Sequence, residues 1–240
     1  MHRRIFFKTT LAISGATVFT RSLSHATESA GEAFIINSGI GGNNTVDLLK
    51  RIDKDCLNYK PDLTILMVGT NDMNSRKHIP LPEYETNVRE IIEKVQKVGS
   101  KILLMNVLPV YETYLYMRHP KSFYAEEDHR SRLIKVNKLL LKLSQEYSLA
   151  FLDIFHVFDT VGSIGESAES LIKNELNSNK QDGVHPTPNG YRTMAIAIYE
   201  KLIASNLPHE RIVCFGDSIT HGDGLYENSY PGYLKKLLGY

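Results

Sequence analysis

The chain has 240 residues, 42% hydrophobic and 23% charged, with 28 basic against 27 acidic side chains and a formal net charge of +1. That is the composition of a globular domain able to bury a full core, and so even a charge balance argues against a nucleic-acid binder, which shows a basic patch or stripe. No run approaches the roughly 20 apolar residues that span a bilayer. Two cysteines, Cys56 and Cys214, are too few for a disulfide scaffold, and nine histidines lie scattered without the paired spacing of a zinc site. No metal and no cofactor is therefore expected.

Residues 1–26 read as an export signal rather than as part of the fold. The basic stretch from His2 to Lys8 precedes the mildly apolar stretch from Thr9 to Thr20, and Ser24-His25-Ala26 offers small residues where a signal peptidase cuts. Arg3-Arg4 followed by Phe6 and Lys8 resembles a bacterial twin-arginine signal. The expectation is a periplasmic or secreted protein whose single domain occupies residues 27–240.

Beyond it, short apolar runs alternate with amphipathic helical patterns. Ala33–Asn37 reads as a strand and Thr45–Leu57 as a helix started by a threonine cap. Leu63–Val68 is apolar throughout, as in a strand buried on both faces of a parallel sheet. Pro82 suits the first turn of a helix that runs to about Val98 and stops at Gly99. Lys101–Val107 is the next strand, Glu126–Tyr147 a long helix and Leu149–Ile154 another strand. A helix over Asn189–Ala204, a fifth strand over Arg211–Phe215 and a helix over Ser229–Leu238 complete the chain. Strands separated by helices predict a three-layer α/β/α domain with a mostly parallel five-stranded sheet. Two irregular stretches, Pro109–Ala125 and Phe155–Asp182, follow strand ends, where such sheets bind ligands. Both are expected to wall the site, the second with one short helix near Ala168–Leu176.

Chemistry concentrates at those strand ends. Gly216-Asp217-Ser218 closes the last apolar run, so the serine hydroxyl emerges at the top of the sheet. A serine hydroxyl attacks a carbonyl only when an imidazole takes its proton, and the imidazole needs a carboxylate to fix its tautomer. Asp182 and His185, three residues apart on a loop stiffened by Pro186, supply such a pair. Gly69-Thr70-Asn71-Asp72 follows the Leu63 strand, and the glycine-rich stretch Asn37–Thr45 follows the first. A backbone N–H of Gly42, the Asn71 amide and the Ser218 N–H would form an oxyanion hole.

Together these four blocks resemble the SGNH (GDSL-type) hydrolase superfamily over residues 33–240. The resemblance implies a flavodoxin-like domain and a cofactor-free serine esterase with Ser218, His185 and Asp182 as triad. Within the glycine block it points to Gly42 by register from Asn37, with Gly41 the alternative. Asp217, Tyr111, Tyr114 and Tyr116 are the candidate substrate contacts, the tyrosines suited to stacking on sugar faces. The expected substrate is a small-molecule or glycan ester, with short-chain acetyl esters of carbohydrates foremost. A lysophospholipase or acyl thioesterase and a catalytically silent carbohydrate-binding domain are the alternatives.

One departure is large. The family's serine block opens the domain, whereas here it comes last, so the sequence reads as circularly permuted, with Ser205–Glu210 as the tether. Residues 211–240 could instead begin a second domain or complete a neighbouring protomer's sheet.

Overall fold

Most of the helices begin where a side chain accepts from a free N–H of the first turn; those that start at Leu81 and Glu112 lack such a cap. The structure, a computed structural model, describes residues 33–240; the expected export signal lies outside the described residues. Strand β1 (Phe34–Gly39) leads to helix α1 (Thr45–Asp55). The cap is Asn44 rather than the expected threonine: Asn44 accepts from the Asp47 N–H while Asp47 accepts from the Asn44 N–H. Thr45 is free to donate its hydroxyl to Asp72 at 2.6 Å.

Strand β2 (Leu63–Met67), helix α2 (Leu81–Lys97, with Pro82 in its first turn) and strand β3 (Lys101–Met105) follow as read from the pattern. The stretch after β3 holds helix α3 (Glu112–Arg118) ahead of the long helix α4 (His129–Glu146), capped by Asp128. Strand β4 (Ala150–Leu152) passes directly into helix α5 (Ile154–Val161), where Asp153 caps. The one further helix in the next segment, α6 (Glu175–Ser178), lies later than expected because Asn174, not Ala168, supplies the cap. Helix α7 (Pro188–Ala204) is capped by Thr187. Strand β5 (Arg211–Gly216), the single turn α8 (Ser218–His221) and helix α9 (Tyr230–Leu238), capped by Ser229, end the chain.

All five strands are parallel, in the order β1-β5-β2-β3-β4. The last strand in sequence thus lies between the first two, within its own chain. Ile212 pairs with Ile35 on one side and Leu63 on the other, and Gly216 lies level with Gly39 and Met67. Side-chain alternation splits β5 between two cores: Ile212 and Cys214 pack toward α5, α7 and α9, Val213 and Phe215 toward α1, α2 and α4. Both faces are covered, which is why β2 and β5 read as continuous apolar runs. Cys56 and Cys214 are free, buried thiols. Among the described residues no helix is long and apolar enough to cross a membrane.

Candidate active site

Glycine lets β5 hand the chain directly to Ser218. A Cβ on Gly216 would stand 2.3 Å from the Thr220 hydroxyl and 2.4 Å from the Met67 carbonyl oxygen, so no larger residue fits between the strand and α8. Asp217 then caps the turn, its carboxylate accepting from the Ile219 N–H at 2.9 Å. Ser218 is left half-buried at the carboxyl edge of the sheet, facing the cavity above it.

The loop carrying Asp182 and His185 is pinned by backbone bonds. Lys173 donates to the His185 carbonyl at 2.8 Å, Gly183 to the Lys173 carbonyl at 3.0 Å, and Tyr111 to the Gly183 carbonyl at 2.8 Å. Gly183 sits at φ +71°, where a side chain would be strained and would strike the Tyr111 carbonyl. Within the loop, Asp182 accepts from the N–H groups of Val184 and His185, and both its oxygens lie 2.9 Å from His185 Nδ1. His185 Nε2 is 3.0 Å from Ser218 Oγ. Since an ionised carboxylate only accepts, Nδ1 carries the proton and Nε2 accepts from the serine hydroxyl. Burial works against ionisation of Asp182, but the His185 ring and the two N–H bonds outweigh it and hold the carboxyl well below its ordinary range.

Two further segments converge here. Asn71 Oδ1 accepts from Asn74 at 3.1 Å, which turns Nδ2 toward the site; one of its hydrogens goes to the Asn43 carbonyl at 2.9 Å, and Asp217 lies 3.5 Å away. Gly42 borders the cavity and Gly41 does not. Arg51 is a residue that sequence reasoning missed. Its guanidinium donates to the carbonyls of Ser38 and Gly216 and to the Asn43 side chain at 2.9, 2.7 and 2.7 Å, and stacks over Phe215. It thereby ties the ends of β1 and β5 to the glycine loop. Its one partner on α1 is Asp55 at 3.2 Å; the other three lie outside the helix, so nothing in the local pattern of α1 announces this role.

Two carboxyls lie beneath this surface. Asp217 is fully buried; that burial pushes it up to about 7, against the Ile219 N–H bond and with Asp72 adding repulsion. Burial likewise raises Asp72 to about 6, and its Oδ2 has no hydrogen-bond partner.

The cavity over Ser218 encloses about 360 Å³ and is bordered by Gly42, Asn71, His185 and Ser218 on one side. Its far wall differs from expectation. Tyr111, Tyr114 and Tyr116 do not line it; α3 presents Leu115, Arg118 and the following His119 instead. The tyrosines are spent on packing: Tyr111 and Tyr114 meet edge to face at 4.9 Å, Tyr116 meets Tyr124 at 5.4 Å, and Tyr114 covers Gly183. Asp217, also expected to touch substrate, lies below Ser218 and out of reach. The stretch 155–182 contributes no wall; residues Thr70 to Lys77 take its place.

Comparison with known proteins shows the family. The GDSL-like lipase/acylhydrolase family matches residues 9–193, which include Gly42, Asn71, Asp182 and His185 and stop short of β5 and Ser218. The chain is 27% identical to the "Uncharacterized lipoprotein YqeF" of Bacillus subtilis, over 69% of this chain and 72% of that one. It is 24% identical to an acetylxylan esterase of Geobacillus stearothermophilus, over 70% of this chain and 71% of that one. A solved GDSL-like lipase from Bacteroides thetaiotaomicron shares the fold with a TM-score of 0.55 at 20% identity, covering 70% of this chain and 74% of its own. The chain belongs to the GDSL-like lipase/acylhydrolase family and is a carboxylic ester hydrolase.

Proposed function

We propose that the protein cleaves short-chain esters, acetyl esters of carbohydrates foremost, through an acyl-enzyme on Ser218. The observation that carries this is the continuous chain Asp182–His185–Ser218, with contacts of 2.9 and 3.0 Å. His185 Nε2 takes the hydroxyl proton as Ser218 Oγ attacks the ester carbonyl. The N–H groups of Gly42 and Ser218 and the Asn71 amide hold the oxyanion. His185 returns the proton to the departing alcohol, then deprotonates the water that releases the acid. Asp182 keeps Nδ1 protonated and balances the imidazolium.

A short acyl group is supported by the cavity itself. Leu115 and Val184 are the only aliphatic side chains that border it, and the volume of about 360 Å³ suits a small ester, which disfavours the lysophospholipase and thioesterase alternatives. The similarity to an acetylxylan esterase supports a carbohydrate ester. We also read the chain as a circular permutant of its family, completed within one molecule by β5 between β1 and β2, and residues 1–26 as an export signal.

The deciding experiment combines fluorophosphonate labelling with an activity panel. Mass analysis should place the label on Ser218. p-Nitrophenyl esters should be cleaved fastest at acetyl or propionyl length, and acetylated xylo-oligosaccharides should release acetate. Labelling elsewhere would refute the nucleophile; a maximum at long acyl chains would refute the substrate.

A further inference from the structure

We propose that the cavity selects esters whose acyl or alcohol part carries a carboxylate, bound by the Arg76 guanidinium with Arg118 beside it. This rests on the esterase reading and narrows its substrate class.

The sign of the cavity is the first argument. The chain as a whole is balanced, 28 basic against 27 acidic residues. Yet Arg76, Lys77 and Arg118 border the cavity, and no aspartate or glutamate does among the described residues. These charges differ in how far they are already engaged. Lys77 is paired with Asp47, and Arg118 leans on Asp182 at 3.4 Å. Arg76 has no acidic partner among the described residues, and its guanidinium makes no hydrogen bond there. One unengaged guanidinium matches a single carboxylate, whose two oxygens fit its fork.

The buried groups behind the arginines point the same way. Burial, and after it the charges of Arg118 and Arg76, hold the His119 imidazole below its ordinary value, so both guanidinium fields converge at this wall. His129 borders the same cavity at 2% exposure, and its Nδ1 has no hydrogen-bond partner. Burial and the Arg132 charge lower it to about 4, so it stands as a neutral imidazole and leaves the positive charge of this wall to the arginines. Taken together, a positively charged wall and the serine border one small cavity.

The test uses two matched pairs of probes. On the alcohol side, an acetylated methyl galacturonoside is compared with its carboxyl methyl ester. On the acyl side, mono-p-nitrophenyl succinate is compared with p-nitrophenyl butyrate. In one pair the charged member should have a kcat/KM about tenfold higher, the size of a charged hydrogen bond to a guanidinium. Which pair responds tells which side of the ester carries the anion. The preference should shrink as salt rises, fall toward unity in Arg76→Gln and reverse in Arg76→Glu. Arg76 is exposed, so these variants should fold as the parent does. If both neutral members are cleaved as fast as the charged ones, while p-nitrophenyl acetate hydrolysis is lost in Ser218→Ala, the inference fails and the esterase reading stands. A preference untouched in Arg76→Glu would also overturn it. Should no ester be cleaved at all, both readings fall.

Discussion

Lys173 Nζ lies 2.6 Å from Asp223 Oδ1, and its side chain is only 6% exposed, so a buried ammonium leans on one carboxylate. The pair joins the segment that pins the His185 loop to the loop just beyond Ser218, two stretches far apart in sequence. The Lys173 bond holds Asp223 below the usual carboxylate range. Asp223→Asn would leave the Lys173 ammonium facing a neutral amide oxygen in place of its counter-charge. Because Asp223 is 40% exposed, the cost should be about 1–2 kcal/mol, well under that of a fully buried pair. Urea unfolding measures it, and kcat should fall more than KM rises as the loops carrying His185 and Ser218 loosen. An Asp223→Asn enzyme with parental stability and kcat would show that the pair holds neither loop.

The proposed roles separate kinetically. Ser218→Ala and His185→Ala should each lower kcat by several orders of magnitude in a folded protein, and Asp182→Asn by less, since it orients rather than transfers. Asn71→Ala should cost roughly 10²–10³ in kcat at nearly constant KM, because its amide acts on charge present only in the transition state. A rise in KM alone would make Asn71 a ground-state binding residue.

Asp217 makes a pH prediction of unusual sign. Its folded value of about 7 lies above the roughly 3.9 of an unfolded aspartate. Between about pH 4 and 7 the folded state keeps a proton that the unfolded chain has released, so this group's contribution to stability falls as pH rises. Asp217→Asn removes the titration while keeping an oxygen for the Ile219 N–H. Relative to the parent, the variant should therefore gain in Tm steadily from pH 4 to pH 7. Asp182 titrates in the opposite sense, its contribution being lost as pH drops below the unfolded value, but both proteins share it. A Tm difference that stays flat across this range would show that Asp217 is ionised in the folded protein.

Strand order predicts the outcome of truncation. Among the described residues strand β1 pairs only with β5, so a chain ending at Asn206 leaves β1 without that partner and β2 with one bare side. Unpaired buried N–H and C=O groups are costly, and the fragment should aggregate and lack activity. Placing residues 211–240 ahead of Ala33, with a short linker, rebuilds the same contacts and should give a folded, active esterase. A cooperatively unfolding fragment, or a rearranged chain that folds without activity, would count against the permutation.

What the sequence determined by itself is what neighbouring residues decide. Strands β2 and β5 were legible because both faces are buried, and helices α2 and α7 because Pro82 and Pro188 open them within short range. The pairing of Asp182 with His185 was legible too, since a turn of three residues brings one onto the other. The tertiary structure decided the rest. Only the assembled sheet sets β5 between β1 and β2, brings Ser218 to His185 and gives Arg51 its acceptors on Ser38, Asn43 and Gly216. The wall of the cavity was beyond the sequence for the same reason. Aromatic residues after β3 suggested a stacking surface, but ring against ring and ring against Gly183 bury more apolar area than facing solvent would. The helical turn therefore spends its tyrosines on packing and leaves Leu115, Arg118 and His119 to face the substrate side.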